Sequence, residues 1–211
     1  MRDGMTTVVK ICGITRVEDA LAAARCGAHA VGVVFYRPSP RCVSPSQAAA
    51  IVAALPPFVS VVGLFVDADA GEVRATVAEA RCHLLQFHGS EPPEFCAQFE
   101  LPYVKAVRVR SGVDLLQYAR TYRDAKGLLL DAYVDGTHGG TGTSFDWKLI
   151  PRTIPLPVIL SGGLNPQNVE QAVRAVRPWA VDVSSGVEAA PGIKDAARIA
   201  AFMSGVRDAD V

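Results

Sequence analysis

Short apolar runs rich in β-branched residues alternate with alanine-rich amphipathic stretches from one end of the chain to the other. The apolar runs predict strands over 8–12, 30–35, 60–66, 84–87, 103–109, 127–131, 157–160 and 180–183. The amphipathic stretches predict helices over 17–26, 45–55, 70–80, 92–99, 113–120, 165–176 and from 193 to about 203. Only the segment after the sixth strand is irregular, a glycine-rich loop followed by a short helix over 147–150. Several strands are continuous apolar runs, as parallel strands are when both faces are covered. Strict βα alternation predicts a parallel α/β sheet. Eight units with no linker or composition shift favour closure into a single (β/α)₈ TIM barrel over residues 1–211. The alternative is an open, doubly wound dinucleotide-binding sheet. Its G-x-G-x-x-G turn should follow the first strand, where this chain has Cys12-Gly13-Ile14-Thr15.

Composition narrows the classes without changing the fold. At 211 residues the chain fits one domain, and 50% hydrophobic residues against 20% charged ones exclude disorder. Twenty-one basic and 21 acidic residues balance, so no electrostatic argument points to nucleic acid or an anionic membrane. No apolar run approaches the ~20 residues of a membrane span, and Met1 to Thr7 lacks the apolar core of a signal peptide. A soluble, cytoplasmic protein is expected, its oligomeric state open between monomer and homodimer. Cys12, Cys26, Cys42, Cys82 and Cys96 are odd in number, scattered and without a C-x-x-C pair, which speaks against a disulfide framework. With His29, His83, His88 and His138 they form no zinc-ligand spacing, so no metal is expected. Most of these thiols read as small buried hydrophobes; Cys12 stands apart.

A barrel carries its chemistry at the C-terminal ends of its strands and in the loops beyond them. Those positions hold Lys10 and Cys12, Arg37 and Arg41, Asp67, Gln86 and His88, Arg108, Asp131, the Ser161-Gly162-Gly163 turn, Asp182 and the Ser184-Ser185-Gly186 turn. The unusual polar groups therefore gather on one rim. Glycines let backbone N–H groups approach an anion, and Asn165-Pro166 suits a helix start that adds a favourable dipole. Loops after strands seven and eight form the usual phosphate cradle of barrels. Gly162, Gly163, Ser185 and Gly186 thus point to a small phosphorylated ligand, against the plainer reading of tight turns.

Lys10 and Cys12 lie two apart on one strand and share a face. A neighbouring ammonium favours thiolate, the form that acts as base or nucleophile; the competing reading is a packed thiol. Asp131 closes the apolar strand after Leu128-Leu129-Leu130, where a carboxylate is costly without a partner or a task. It serves either as a general acid opposite Cys12 or as a structural cap. Arg41 or Arg37, in a proline-stiffened loop, offers a fork for a second anionic group unless it is simply solvated. Gln86 and His88 share a face and either hydrogen-bond substrate or support a neighbour. The stretch containing Gly140, Thr141 and Gly142 is a candidate lid or a plain connector.

With these residues in view the chain resembles the phosphoribosylanthranilate isomerase family. The resemblance is carried by Val9-Lys10-Ile11-Cys12-Gly13-Ile14-Thr15, Phe35-Tyr36-Arg37-Pro38-Ser39-Pro40-Arg41 and Val62-Gly63-Leu64-Phe65-Val66-Asp67. It continues through Leu85-Gln86-Phe87-His88-Gly89-Ser90-Glu91, Leu130-Asp131, His138 to Trp147, Leu160-Ser161-Gly162-Gly163-Leu164 and Val181 to Glu188. Phe87, where the family often has leucine, is a small departure. The resemblance implies a cofactor-independent Amadori rearrangement of N-(5-phosphoribosyl)anthranilate in tryptophan biosynthesis. It makes Asp131 the acid that opens the furanose ring and Cys12 the base that removes the C2 proton. Arg41 then takes the anthranilate carboxylate, and the two glycine loops take the phosphate. Two alternatives are the related aminoimidazole phosphosugar isomerase of histidine biosynthesis, which uses a carboxylate where Cys12 stands, and a non-catalytic phosphate-ligand binder, which needs neither Cys12 nor Asp131.

Overall fold

In the computed structural model, residues 6–132 and 146–210 are described. Eight strands form one closed parallel barrel in chain order. They are β1 (Val8–Ile11), β2 (Ala30–Val34), β3 (Ser60–Phe65), β4 (Leu84–Phe87), β5 (Tyr103–Val109), β6 (Leu128–Ala132), β7 (Val158–Leu160) and β8 (Ala180–Val183). The closing pair is β1 with β8, and its register sets Lys10 beside Asp182. Around the barrel run α1 (Val17–Arg25), α2 (Pro45–Ala54), α3 (Ala70–Ala80), α4 (Pro93–Ala97), α5 (Leu115–Thr121), α6 (Val169–Val176) and α7 (Ala196–Ala209). The eight predicted strands and the closure are observed. Among the described residues, no helix is long and apolar enough to cross a membrane.

Helix starts follow local chemistry. Ser44 and Gln47 make a reciprocal capping box at α2, with Pro45 in the first turn. Asp69, Asp114 and Asp195 cap α3, α5 and α7 through side-chain oxygens. His29 and His83, which had no role in the sequence, accept backbone N–H bonds from Val9 and Val61 through Nδ1.

The period of two divides each strand between two cores. Ile11, Val31, Val33, Phe65, Leu85, Phe87, Leu128, Leu130 and Leu160 are buried in the layer shared with the helices. The alternate positions fill the barrel: Val104, Ala106, Leu129, Ile159 and Ala180 form one apolar layer, and Cys12, Val34, Leu64 and Val66 another. Buried Lys10, Gln86, Asp131 and Asp182 share those inward positions.

Two element boundaries depart from expectation. The segment from Asn165 first makes a turn, with Asn165 Oδ1 accepting from Gln167 N–H, and regular helix starts only at Val169. The expected helix start at 193 is a strand. Residues Glu188–Ala190 (β9) and Ile193–Lys194 (β10) form a small antiparallel hairpin, and α7 begins after it. Gly192, at φ 78°, supplies the left-handed backbone of that hairpin's turn. Lys194 N–H bonds to Asp19 Oδ2, which staples the hairpin to α1.

Candidate active site

Two clusters face one another across the C-terminal mouth. On the β1/β8 wall, Lys10 Nζ donates to Asp182 Oδ1 at 2.8 Å, both side chains being buried. Cys12 lies one inward position further along the strand and is 5% exposed. Room for it comes from Gly32 on β2, where an added Cβ would meet Cys12 Sγ at 2.7 Å and Lys10 Nζ at 3.1 Å. Burial pushes the Cys12 thiol up, the Lys10 ammonium pulls it down, and Asp182 pushes it up again, with a net rise. The lysine is therefore beside the thiol as expected, but it is already committed to a carboxylate, and burial dominates in the ligand-free protein. On Lys10 itself burial opposes the charge, and Asp182 with Cys12 outweighs it, so the ammonium is held firmly.

The opposite wall is a chain of hydrogen bonds. Gln86 Nε2 lies 3.0 Å from His88 Nδ1, and His88 Nε2 lies 3.1 Å from Asp131 Oδ2. With the amide placed this way, Gln86 donates to Nδ1, and Nε2 carries the hydrogen that His88 donates to Asp131. Asp131 Oδ1 accepts from the Ala132 N–H at 2.9 Å. Gln86 Oε1 is buried without a partner among the described residues.

Below His88, Glu91 ties down the loop after β4. Its carboxylate accepts from the Asp67 and Gly89 N–H groups and pairs with Lys105 Nζ at 2.9 Å, both side chains 2% exposed. Asp67 accepts the Ser90 N–H at 2.6 Å and so serves the same loop.

The two glycine loops meet at the rim. An added Cβ on Gly162, at φ 81°, would sit 2.5 Å from Ala132 N and 3.1 Å from Asp131 Oδ1, which places this turn against the end of β6. On Gly186 it would collide with the Leu164 carbonyl, so the β8 turn packs directly on the β7 turn. Among the described residues the Gly162 and Gly163 N–H groups donate to no acceptor. Asn168 Nδ2 donates to Gly163 O and Asn168 Oδ1 accepts the Asn165 N–H, fixing the turn from behind. Such an unspent pair of N–H groups in a glycine turn suits an oxyanion.

Arg41 points into the rim and Arg37 is exposed. Gly13, at φ 72°, makes room for Arg41: an added Cβ would stand 2.5 Å from Arg41 Cδ. The Arg41 fork is partly occupied, since Nε and Nη2 donate to Glu188 Oε1 and Oε2 at 2.8 and 2.7 Å. Glu188 was visible in the sequence only as the end of a motif, and Lys194, which pairs with it, had no signal while 193 onward read as helix. The lid residues Gly140, Thr141 and Gly142 lie outside the described residues. Cys82 and Cys96 are pushed up to about 12 by burial, as inert packed thiols are.

A family model described as N-(5'phosphoribosyl)anthranilate (PRA) isomerase matches residues 9–205. The N-(5'-phosphoribosyl)anthranilate isomerase of Nitrosospira multiformis is 64% identical over 202 residues, covering 96% of this chain and 97% of that protein. The crystal structure of phosphoribosyl anthranilate isomerase from Thermotoga maritima superposes with a TM-score of 0.89 at 42% identity, covering 96% of this chain and all of that one. A phosphoribosyl anthranilate isomerase solved in complex with reduced 1-(o-carboxyphenylamino)-1-deoxyribulose 5-phosphate gives a TM-score of 0.86 at 42% identity, with the same coverage.

Proposed function

The chain belongs to the N-(5'-phosphoribosyl)anthranilate isomerase family, and from that premise we propose how its mouth divides the proton transfers of the reaction. The enzyme is an isomerase of tryptophan biosynthesis that converts N-(5-phosphoribosyl)anthranilate to 1-(2-carboxyphenylamino)-1-deoxyribulose 5-phosphate. Asp131 is the general acid and Cys12 the general base. Asp131 gives its proton to the furanose ring oxygen as the C1–O bond breaks, leaving a Schiff base. Cys12, as thiolate, takes the C2 proton, and the C2–H electron pair forms the enolamine that tautomerises to the ketone.

One observation carries this reading: the two groups stand on opposite walls of the same mouth, each backed by its own polar partner, Lys10 with Asp182 and His88 with Gln86. In the ligand-free arrangement Asp131 only accepts hydrogen bonds and burial keeps Cys12 a thiol. The reactive form needs one proton fewer on sulfur and one more on the carboxylate. Substrate supplies the reason for that shift. The cationic Schiff base favours thiolate at Cys12. The site's overall charge is unchanged.

Gly162, Gly163, Ser185 and Gly186 take the phosphate through backbone N–H groups, and Arg41 takes the anthranilate carboxylate. Gln86 and His88 border the ribose. One barrel domain over residues 1–211 carries the whole site, and the free thiol it needs suits the reducing cytoplasm. The deciding assay follows the fall in anthranilate-type fluorescence with fresh substrate, alongside the aminoimidazole substrate of the histidine-pathway enzyme. Turnover of the first without the second is expected; turnover of the second alone would overturn the assignment of Cys12 to this reaction.

A further inference from the structure

Behind Arg41 lies a buried cluster with more cations than anions. Glu188, 6% exposed, accepts Arg41 Nε on Oε1 and Arg41 Nη2 on Oε2. The same Oε1 accepts Lys194 Nζ at 2.7 Å and the Gly192 N–H at 3.3 Å. Lys194 sends its remaining hydrogens to Ser184 O at 3.1 Å and Ser184 Oγ at 3.5 Å, and its side chain is fully buried. The β9–β10 register makes Glu188 and Lys194 direct cross-strand partners, six residues apart in sequence.

Charge counting gives this geometry a purpose. Arg41 and Glu188 alone would be a neutral pair, and a neutral pair attracts a substrate carboxylate weakly. Lys194 takes part of Glu188 for itself, so the three groups together carry one positive charge. Lys194 has no donor left for a ligand, since all three face chain acceptors. Among the described residues, Arg41 Nη1 has no acceptor. The positive charge therefore has one outlet, the open edge of the Arg41 guanidinium. The fork is also held on three sides. Gly13 accommodates its Cδ, Glu188 fixes Nε and Nη2, and Gly192 packs against the Pro40 carbonyl just before it, 3.3 Å from an added Cβ. A bidentate carboxylate contact needs a guanidinium pre-oriented in this way.

We propose that Glu188 and Lys194 are positioning residues that aim Arg41 and keep its site cationic, making the enzyme selective for aromatic amines bearing a carboxylate. This rests on the reading that Arg41 receives that carboxylate. Neither residue touches the substrate; both act through Arg41. Burial and the nearby Arg41 oppose the Lys194 charge and outweigh the support of Glu188 and the Cys12 sulfur, so the ammonium is held below the usual lysine range and depends on Glu188 for what it keeps. The Arg41 and Lys194 hydrogen bonds more than offset the burial of Glu188, whose carboxyl is held below the usual range.

The test compares kcat/KM for the phosphoribosyl adducts of anthranilate and of aniline, which lacks the carboxylate. Lys194→Gln keeps a hydrogen-bonding group but loses the charge; Lys194→Arg keeps the charge. Lys194→Gln should cut the anthranilate-over-aniline preference by about tenfold or more. The loss of preference should lie in KM for the carboxylated substrate; because the Lys194 charge also lowers the Cys12 thiol, any fall in kcat should be the same for the two adducts. Lys194→Arg should retain most of the preference. Equal losses of preference in both variants, a KM loss shared by both substrates, or a Gln variant that does not fold beside an Arg variant that does would assign Lys194 to the fold and overturn the proposal. Arg41→Met separates the two readings. If it leaves the preference intact, the Arg41 assignment itself fails; if it abolishes the preference while Lys194→Gln does not, only the role of Lys194 fails.

Discussion

The two walls of the barrel mouth solve the burial of polar groups differently. The β1/β8 wall holds a full ion pair, Lys10 with Asp182, set by the register that closes the barrel. The β4/β6 wall holds a relay of hydrogen bonds, Gln86 to His88 to Asp131, in which one partner is a ring able to change protonation. An ion pair in a low-dielectric interior is costly to disrupt and fixes its charges. A relay ending in a carboxylate holds that group by hydrogen bonds from neutral donors, with no fixed counter-charge beside it. The base thus sits beside a fixed field, and the acid sits at the end of an adjustable one. That division suits a reaction in which the acid must be recharged with a proton at every turnover.

The strongest way to break the comparison is to remove the two reacting groups. Asp131→Asn and Cys12→Ser should each lower kcat by about 10²–10⁴. Equilibrium binding of a reduced, non-reacting product analogue should change little, as for interactions made only in the transition state. Steady-state kinetics with calorimetry checks both. Near-normal kcat in Asp131→Asn would remove the acid from the adjustable wall and with it the contrast.

The next effect is on stability, where the walls should separate by size. Asp182→Asn strands a buried ammonium and should cost about 3–5 kcal/mol. His88→Leu takes one donor from the Asp131 carboxylate, whose other oxygen keeps the Ala132 N–H, and leaves Gln86 Nε2 without its acceptor; it should cost about 1–3 kcal/mol. Urea unfolding of the two variants against the parent protein measures the gap. Equal losses would mean that the ion pair is no more than another hydrogen bond.

How much of this was legible in the sequence follows from the range of each interaction. The eight strands were legible because continuous apolar runs report burial on both faces locally. Their inward and outward faces followed from the period of two, which by spacing alone sets Lys10 with Cys12 and Gln86 with His88. The pairing of Lys10 with Asp182 was not legible, because 172 residues separate them and only the barrel's closing register makes them neighbours. Lys105 with Glu91 was hidden for a simpler reason: a lysine inside an apolar strand gives no sign of which loop carboxylate will meet it. The Glu188–Lys194 pair was obscured by an error of type, since a hairpin two residues long on one side is too short to leave a periodic signal, and its second strand was absorbed into the helix that follows. Asn165 failed by degree only: it caps a turn, and the regular helix starts four residues later.

The finest test concerns the field at Cys12. Burial pushes this thiol up, Lys10 lowers it and Asp182 raises it again. Asp182→Asn removes the last of these contributions and frees Lys10 to face sulfur alone, so the thiol should ionise at lower pH. Pulse alkylation with iodoacetamide across a pH series, read at Cys12 by peptide mass mapping, gives the midpoint. Cys82 and Cys96, pushed up to about 12 by burial with no contribution from Asp182, serve as internal references and should not move. The sign is the informative part. A fall in the Cys12 midpoint means that Lys10 keeps its proton without Asp182, and that the carboxylate holds the thiol back in the resting enzyme. A rise means that Lys10 has discharged, in which case Asp182 is what keeps the field at the base switched on. The second result would reverse the contrast between the walls, since the ion pair would then be the adjustable element and its integrity would set the reactivity of the thiol.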